Sequence, residues 1–304
     1  MVISCCLVTV LMLVAVAFFI VTERKGLGML QIRQGPNKVS VKGILQAVAD
    51  GVKLFKKEFS YPFSCNKELF LLGPVICFFC AYSLWLLFPS SIGCLNFESG
   101  LLFFLCISCF SVYGVFITGW VCDSRYAFLG AMRAVAQSIS YEVFLSTALF
   151  LPLLLVGSFD FQVAREGYFS SVLLGQEVLL LWLVSVLAET NRAPFDFVEG
   201  ESELVAGYSV EFGGVGFALI ALAEYSNIMF MSMITGVLFF GGLMGGTYFG
   251  SLVMAFWMTS LSYFIVWVRG VVPRFRYDLL MSLCWVILLP VSLSLFCVGV
   301  VLSL

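Results

Sequence analysis

The feature that most constrains this chain is a succession of apolar runs, each about as long as a bilayer's hydrocarbon core is thick. They lie at 2–21, 69–88, 101–121, 134–156, 171–188, 214–240, 247–268 and 279–302. Roughly 20 apolar residues in a helix cross the hydrocarbon core, and a helix satisfies its own backbone polar groups where no water can. The runs therefore predict an all-α integral membrane protein. It is a single membrane domain over 1–304 with about eight transmembrane helices, leaving no room for a separate soluble domain. Composition agrees: the chain is 62% apolar and 11% charged, with a mean hydropathy of +1.07, whereas soluble domains are about half apolar. The first run lacks a basic leader and a small-residue cleavage site, so it is expected to be a retained helix.

Charge sets the orientation, because Lys and Arg collect on the cytoplasmic or matrix side. Fifteen of the sixteen basic residues fall in loops 22–68, 122–133, 189–213 and 269–278, and only Arg165 falls on the other face. Both termini are then expected on the basic-poor side. The long first loop contains Ile44, Val48, Val52 and Phe55 at helical spacing, with Gln46, Asp50, Lys53 and Lys57 on the opposite arc. This pattern predicts an amphipathic helix over 43–58 lying in the membrane interface.

Several chemistries are excluded or weakened. With no histidine, His-ligated haem, His-based zinc and Ser-His or Cys-His nucleophiles cannot be built. Two CxxC pairs, Cys77 with Cys80 and Cys106 with Cys109, lie inside apolar runs, where cysteine behaves as a small buried hydrophobe. Gly241 to Gly246 follow no strand and carry no lysine, so they read as helix-packing positions, not a phosphate loop. No redox centre, metal or cofactor site of the chain's own is expected.

The ionisable residues at membrane depth carry the functional signal. Glu142, Glu189 and Glu224 each lie in or at the end of a different apolar run. An Asp at a helix centre costs at least about 2.5 kcal/mol, so such groups mark ion or proton routes by default. The bland alternative is a buried hydrogen bond to each, for which Tyr141, Tyr225 and Asn227 are available. Glu177, near the start of its run, instead suits a helix N-terminus.

The stretch AETNRAPFDFVEGESELVAGYSVE (188–211) concentrates Glu189, Asp196, Glu199, Glu201, Glu203 and Glu211 beside one base, Arg192. A solvated loop is the ordinary reading of a charge run. Yet Phe195, Phe197, Val198, Leu204, Val205 and Tyr208 would be poorly placed in water. The expectation is an acidic, aromatic loop folded against the basic loops, with Arg24, Arg33, Arg133, Arg192, Arg274 and Arg276 as counter-charges.

Four blocks in order, ERKGLGMLQIRQGPNKVSVKGILQAVADGVKLFKKE (23–58), SRYAFLGAMRAVAQSISYEV (124–143), LAETNRAPFDFVEGESELVAGYSVEFGG (187–214) and AEYSNI (223–228), followed by VPRFRYDLLM (272–281), resemble one family. It is that of chain 1 of NADH:ubiquinone oxidoreductase (respiratory complex I), together with its counterpart in the bacterial NADH-quinone oxidoreductase. The resemblance covers nearly the whole chain. Ala47 stands where the family usually has proline, Val272 where it has an aromatic, and 161–170 matches none of the blocks.

The resemblance implies the membrane half of a ubiquinone tunnel, with Arg24, Gln31, Arg33, Asp50, Arg274 and Arg276 along it. It also implies a proton relay through Glu142, Glu189, Asp196, Glu199, Glu201, Glu203 and Glu224, with Arg133 and Arg192 as counter-charges. Ubiquinone would be the substrate, and FMN and iron-sulfur clusters would belong to partner subunits. The implied partners are the soluble quinone-site and iron-sulfur subunits, the small membrane subunits leading to the antiporter-like arm, and lipid, with no nucleic acid. The implied location is the mitochondrial inner membrane. A proton or sodium transporter and the anchor of a membrane-bound hydrogenase are the competing readings.

Overall fold

The computed structural model describes residues 2–63, 65–89, 97–167, 175–196, 207–241 and 248–303; among them the chain is helical, with no strand. In order the helices are α1 (Val2–Leu30), α2 (Gln46–Lys56), α3 (Lys67–Ser83, continued by a 3-10 turn Leu84–Leu87), α4 (Gly100–Val121) and α5 (Arg125–Val156). Then come α6 (Phe161–Glu166), α7 (Gln176–Glu189), α8 (Val215–Phe240), α9 (Tyr248–Val271) and α10 (Tyr277–Ser282), which runs through a π-helical stretch Leu283–Leu288 into α11 (Leu289–Ser303). Among the described residues, seven helical segments are long and apolar enough to cross a membrane: α1, α3, α4, α5, α8, α9 and the continuous α10–α11. The run at 171–188 holds α7, whose 14 residues follow a segment, 168–174, outside the described residues.

The helices overrun the apolar runs on the basic face, which corrects the expected loop boundaries. Helix α1 continues past residue 21 to Leu30, so Glu23, Arg24 and Lys25 are helical. Helix α5 starts at Arg125, so Arg125 and Arg133 are helical too, and α9 carries Arg269. The reason is that charge ends an apolar run without ending a helix, since Glu, Arg, Lys and Leu are all strong helix formers. The amphipathic helix is shorter than 43–58, because Lys42 and Gly43 take positive φ and Lys57 is extended.

Helix α8 sits at the centre, with 61% of its spanning window buried against at most 44% for any other span. It packs on α1, α3 and α9, while α5 packs on α4, α7 and α11. Trp85 and Phe104 close on Phe230 at ring distances of 5.6 and 5.8 Å. Because lipid tails are as apolar as leucine, close packing must come from small residues. A Cβ at Gly114 of α4 would stand 2.6 Å from Cys77 Sγ, and one at Gly73 of α3 would stand 3.1 Å from the Thr118 nitrogen. Gly241 likewise abuts the Ala164 carbonyl of α6; 242–246 lie outside the described residues.

The π-helical stretch precedes Pro290, which has no N–H and whose ring would crowd the Val286 carbonyl in a regular helix. The widened turn answers this: the Leu289 N–H donates to Cys284 O, one residue beyond the α-helical partner. Around this stretch the helix is fastened to α5. Tyr141 Oη donates to Leu280 O at 3.4 Å, Cys284 Sγ to Ser140 O at 3.5 Å, and the Thr147 and Ser292 hydroxyls meet at 2.9 Å.

Candidate functional site: a buried chain of carboxylates and arginines

Glu189 and Glu224 face one cavity between the helices, and Glu142 lies behind Ser108 of a second. A cavity of about 60 Å³ is lined by Glu189, Thr190, Asn191, Tyr208, Glu224 and Asn227, with Cys77, Ser111 and Ser138. A second, of about 20 Å³, is lined by Ser108, Ser111, Glu189, Thr190 and Asn227 beside Cys80 and Phe104. Ser111, Glu189, Thr190 and Asn227 belong to both walls, so the cavities adjoin. A water needs roughly 10–15 Å³ by this measure and several polar partners. The larger cavity has space for several, and Glu189 Oε2, Asn191 Oδ1 and Asn227 Oδ1 are buried there without a protein hydrogen bond.

Each end of this interior holds a carboxylate by a hydroxyl. Tyr208 Oη donates to Glu224 Oε1 at 2.6 Å, and Ser108 Oγ approaches Glu142 Oε1 at 3.0 Å. Glu142 is also hydrogen-bonded with Cys109 and lies within electrostatic reach of Glu189. The bland alternative of a buried hydrogen bond is present at Glu142 and Glu224, but from Ser108 and Tyr208 and not from the residues named for it. Tyr141 turns instead to Leu280, and Tyr225 faces the arginines described next. Among the described residues no three His, Cys, Asp or Glu side chains group as a metal site would require.

On the basic face a second cluster forms around Glu23, only 3% exposed. Arg192 Nη1 lies 3.1 Å from its Oε1, Arg269 pairs with the same oxygen, and the Arg192 guanidinium stands 4.4 Å from the centre of the Tyr225 ring. Burial works against the charge of Arg192, but Glu23, Tyr225 and Glu224 together outweigh it and raise its pKa above the ordinary arginine value. Glu224 and Tyr225 are neighbours on α8, so one helix turn presents an acid to the cavity and a ring to the arginine cluster.

The loop after α7 is anchored at several points. Gln137 of α5 donates from Nε2 to Ala188 O and Phe195 O, both at 3.0 Å, joining the end of α7 to the loop. The Ala193–Pro194 peptide is cis. Pro194 O accepts from the Phe275 N–H at 3.1 Å, Phe195 stacks on Phe275, and Arg274 lies 3.5 Å from Asp196. Thus the loop 269–278 folds against 192–196.

Other expected residues fall into place around this frame. Arg24 of α1 binds Asp50 of α2 at 2.5 Å, and Gln46 holds the other oxygen of Asp50 at 2.7 Å. Gln31 and Arg33 bond to each other at 2.8 Å on the exposed surface, and Arg276 pairs with Asp278 in the open. Arg133 is half-buried on α5. Glu199, Glu201 and Glu203 lie outside the described residues. Two corrections follow: the described partner of Arg192 is Glu23 of α1, outside the acidic stretch, and the counter-charge of Arg24 is Asp50.

Glu23, Arg269 and Gln137 belong to the candidate site without being singled out by the sequence, and Tyr208 is singled out there only as an apolar-sided residue of the acidic loop. Glu23 and Arg269 stand where an apolar run meets a basic loop, which makes them look like interface charges. Their signal is the register: Glu23 stands four residues beyond the buried Phe19 and seven beyond the buried Val16 on a continuous helix, hence on the same inward face. Gln137 gives no signal of its own.

A helical membrane bundle with a line of buried ionisable groups, opening on a face rich in arginine, is the class defined by this fold and site. The family model described as NADH dehydrogenase matches residues 3–300, a range that includes 161–170. NADH-ubiquinone oxidoreductase chain 1 of Aedes aegypti is 46% identical over 298 residues, covering 97% of this chain and 94% of the relative. The corresponding chains of Heterololigo bleekeri and Lampetra fluviatilis are 47% and 44% identical over 296 and 299 residues, covering 97% and 96% of this chain and 93% and 92% of those relatives. The chain belongs to the NADH dehydrogenase family.

Proposed function

We propose that this chain is a core membrane subunit of proton-pumping NADH:ubiquinone oxidoreductase in the mitochondrial inner membrane, with both termini on the intermembrane-space side. It forms the membrane half of the quinone tunnel and couples quinone reduction to proton movement. The observation that carries the reading is the pair of adjoining cavities that Glu189 and Asn227 share. They link Glu224 to the surroundings of Glu142 and abut an arginine cluster on the basic face.

In this reading the quinone passes the first-loop region near Arg24, Asp50, Gln31 and Arg33, and its headgroup reaches a site shared with a soluble partner near Arg274 and Arg276. Two electrons arrive through iron-sulfur partners, and the quinone takes up two protons to become quinol. The loss and gain of charge at the headgroup acts on Asp196 and the acidic residues Glu199, Glu201 and Glu203. Arg192 transmits the change because it faces Glu23 on one side and is within electrostatic reach of Glu224 on the other. Glu224, Glu189 and Glu142 then exchange protons through cavity water toward the neighbouring small membrane subunits, with Arg133 and Arg192 balancing charge.

The test uses membranes solubilised in mild detergent. The chain is expected in a very large particle that oxidises NADH with added ubiquinone, and Glu142→Gln and Asp196→Asn in that particle are expected to lose coupled pumping. A small particle that moves ions without NADH or quinone would replace this reading with a transporter.

A further inference from the structure

Ser108 of α4 has two acceptors and one proton. Its Oγ lies 2.9 Å from the Leu105 carbonyl oxygen, one turn back, and 3.0 Å from Glu142 Oε1 on α5. A hydroxyl donates once and can accept at its lone pairs, so both contacts cannot be donated together. The geometry resolves in two ways. If Glu142 is ionised, Ser108 donates to it. If Glu142 is protonated, the carboxyl donates to Ser108, whose own proton turns to Leu105. Both arrangements preserve the contact with Glu142, and only hydrogens move.

We propose that Ser108 is a positioning residue for proton exchange at Glu142, a rotor that holds the carboxyl group in one place through both protonation states. The inference rests on the reading of Glu142 as a proton-exchanging group. Ser108 is 5% exposed and lines the smaller cavity with Glu189, so its hydroxyl stands between that cavity and the Glu142 carboxyl group. The other titratable groups facing Glu142 are Cys109 of α4 and Glu189 at the end of α7. Neither can substitute: a thiol is a weak donor, and a second carboxylate repels the ionised form.

The experiment compares wild type, Ser108→Ala, Ser108→Thr and Glu142→Gln in the assembled complex in sealed vesicles, recording protons pumped per NADH oxidised against pH. Native particle size checks assembly. A hydrogen bond to an ionised group is about twice as strong as a neutral one, so losing the hydroxyl weakens the ionised state more. Ser108→Ala should therefore move the alkaline limb of coupled pumping up by about one pH unit, and Ser108→Thr should restore it. A Ser108→Ala profile that superimposes on wild type, or a Ser108→Thr variant that does not restore it, overturns the proposal. Wild-type pumping in Glu142→Gln would instead remove the reading beneath it. A second measurement needs no Ser108 variant: in infrared difference spectra, the carboxyl C=O band lost in Glu142→Gln should lie at a hydrogen-bonded frequency. At a free-carboxyl frequency the rotor is refuted.

Discussion

Replacing Glu23 by Gln keeps the shape of the side chain and removes the charge that two arginines share. The carboxylate side chain is 4% exposed, that of Arg192 9% and that of Arg269 26%. Breaking a buried ion pair by neutralising one partner costs about 3–5 kcal/mol, because the remaining charge is left in a dry site. The amide oxygen of Gln can still accept a hydrogen bond, and the Tyr225 ring still attracts Arg192, which together recover about 1 kcal/mol. The net loss is about 3 kcal/mol, or roughly a hundredfold in an opening equilibrium. It should concentrate where Arg192 closes the loop on α7, through the Arg192 N–H to Leu187 O at 3.2 Å and the Phe195 N–H to Arg192 O at 2.8 Å. Hydrogen exchange at these two amides in the assembled complex is the assay, with rates roughly a hundredfold faster in Glu23→Gln. Arg269→Gln removes the more exposed arginine, leaves Glu23 paired with Arg192, and should accelerate exchange about tenfold at most. If Glu23→Gln exchanged within about twofold of wild type, Glu23 would not be what holds the arginine in place.

Asp50→Asn should leave assembly unchanged, because the Arg24–Asp50 pair is partly exposed, at 51% and 33%, and such pairs contribute about 1 kcal/mol or less. Steady-state kinetics should show a higher KM for quinone with little change in kcat if α2 borders the quinone entry. Gly114→Ala puts a methyl group 2.6 Å from Cys77 Sγ and 3.2 Å from the Cys77 nitrogen, an overpacking that costs about 1–3 kcal/mol. The amount of intact complex on native gels should fall, and Cys77→Ala in the same chain should partly restore it.

The elements legible from sequence are those whose signal is a period or an energetic cost. Helix α2 announces itself through Ile44, Val48, Val52 and Phe55, which form a stripe exposed on the isolated chain, at 53%, 56%, 61% and 66%. Glu142, Glu189 and Glu224 announce themselves by standing in lipid-length runs; Glu189 and Glu224 line one cavity, and Glu142 is held by Ser108 at the wall of the next. What stays hidden depends on pairing across long distances. Nothing local tells Arg192 to pair with Glu23, 169 residues away, and nothing marks Gln137 as the clasp between Ala188 and Phe195. Helix ends are obscured for a simpler reason: hydropathy marks where lipid ends, and the helices of the basic face continue beyond it.

The Glu23 cluster also imposes an order on biosynthesis. Its two arginines lie 169 and 246 residues further along the chain. At about 5–20 residues per second, the second arrives roughly 12–50 s after the acid has left the ribosome. Until Arg192 emerges, α1 holds a carboxylate with no arginine to bury it against, so Glu23 rests at the headgroup level; Arg192 lets it turn inward, and Arg269 completes the cluster when α9 follows. A chain cut short before Arg192 leaves that acid without either arginine and offers a quality-control protease a helix that never docks.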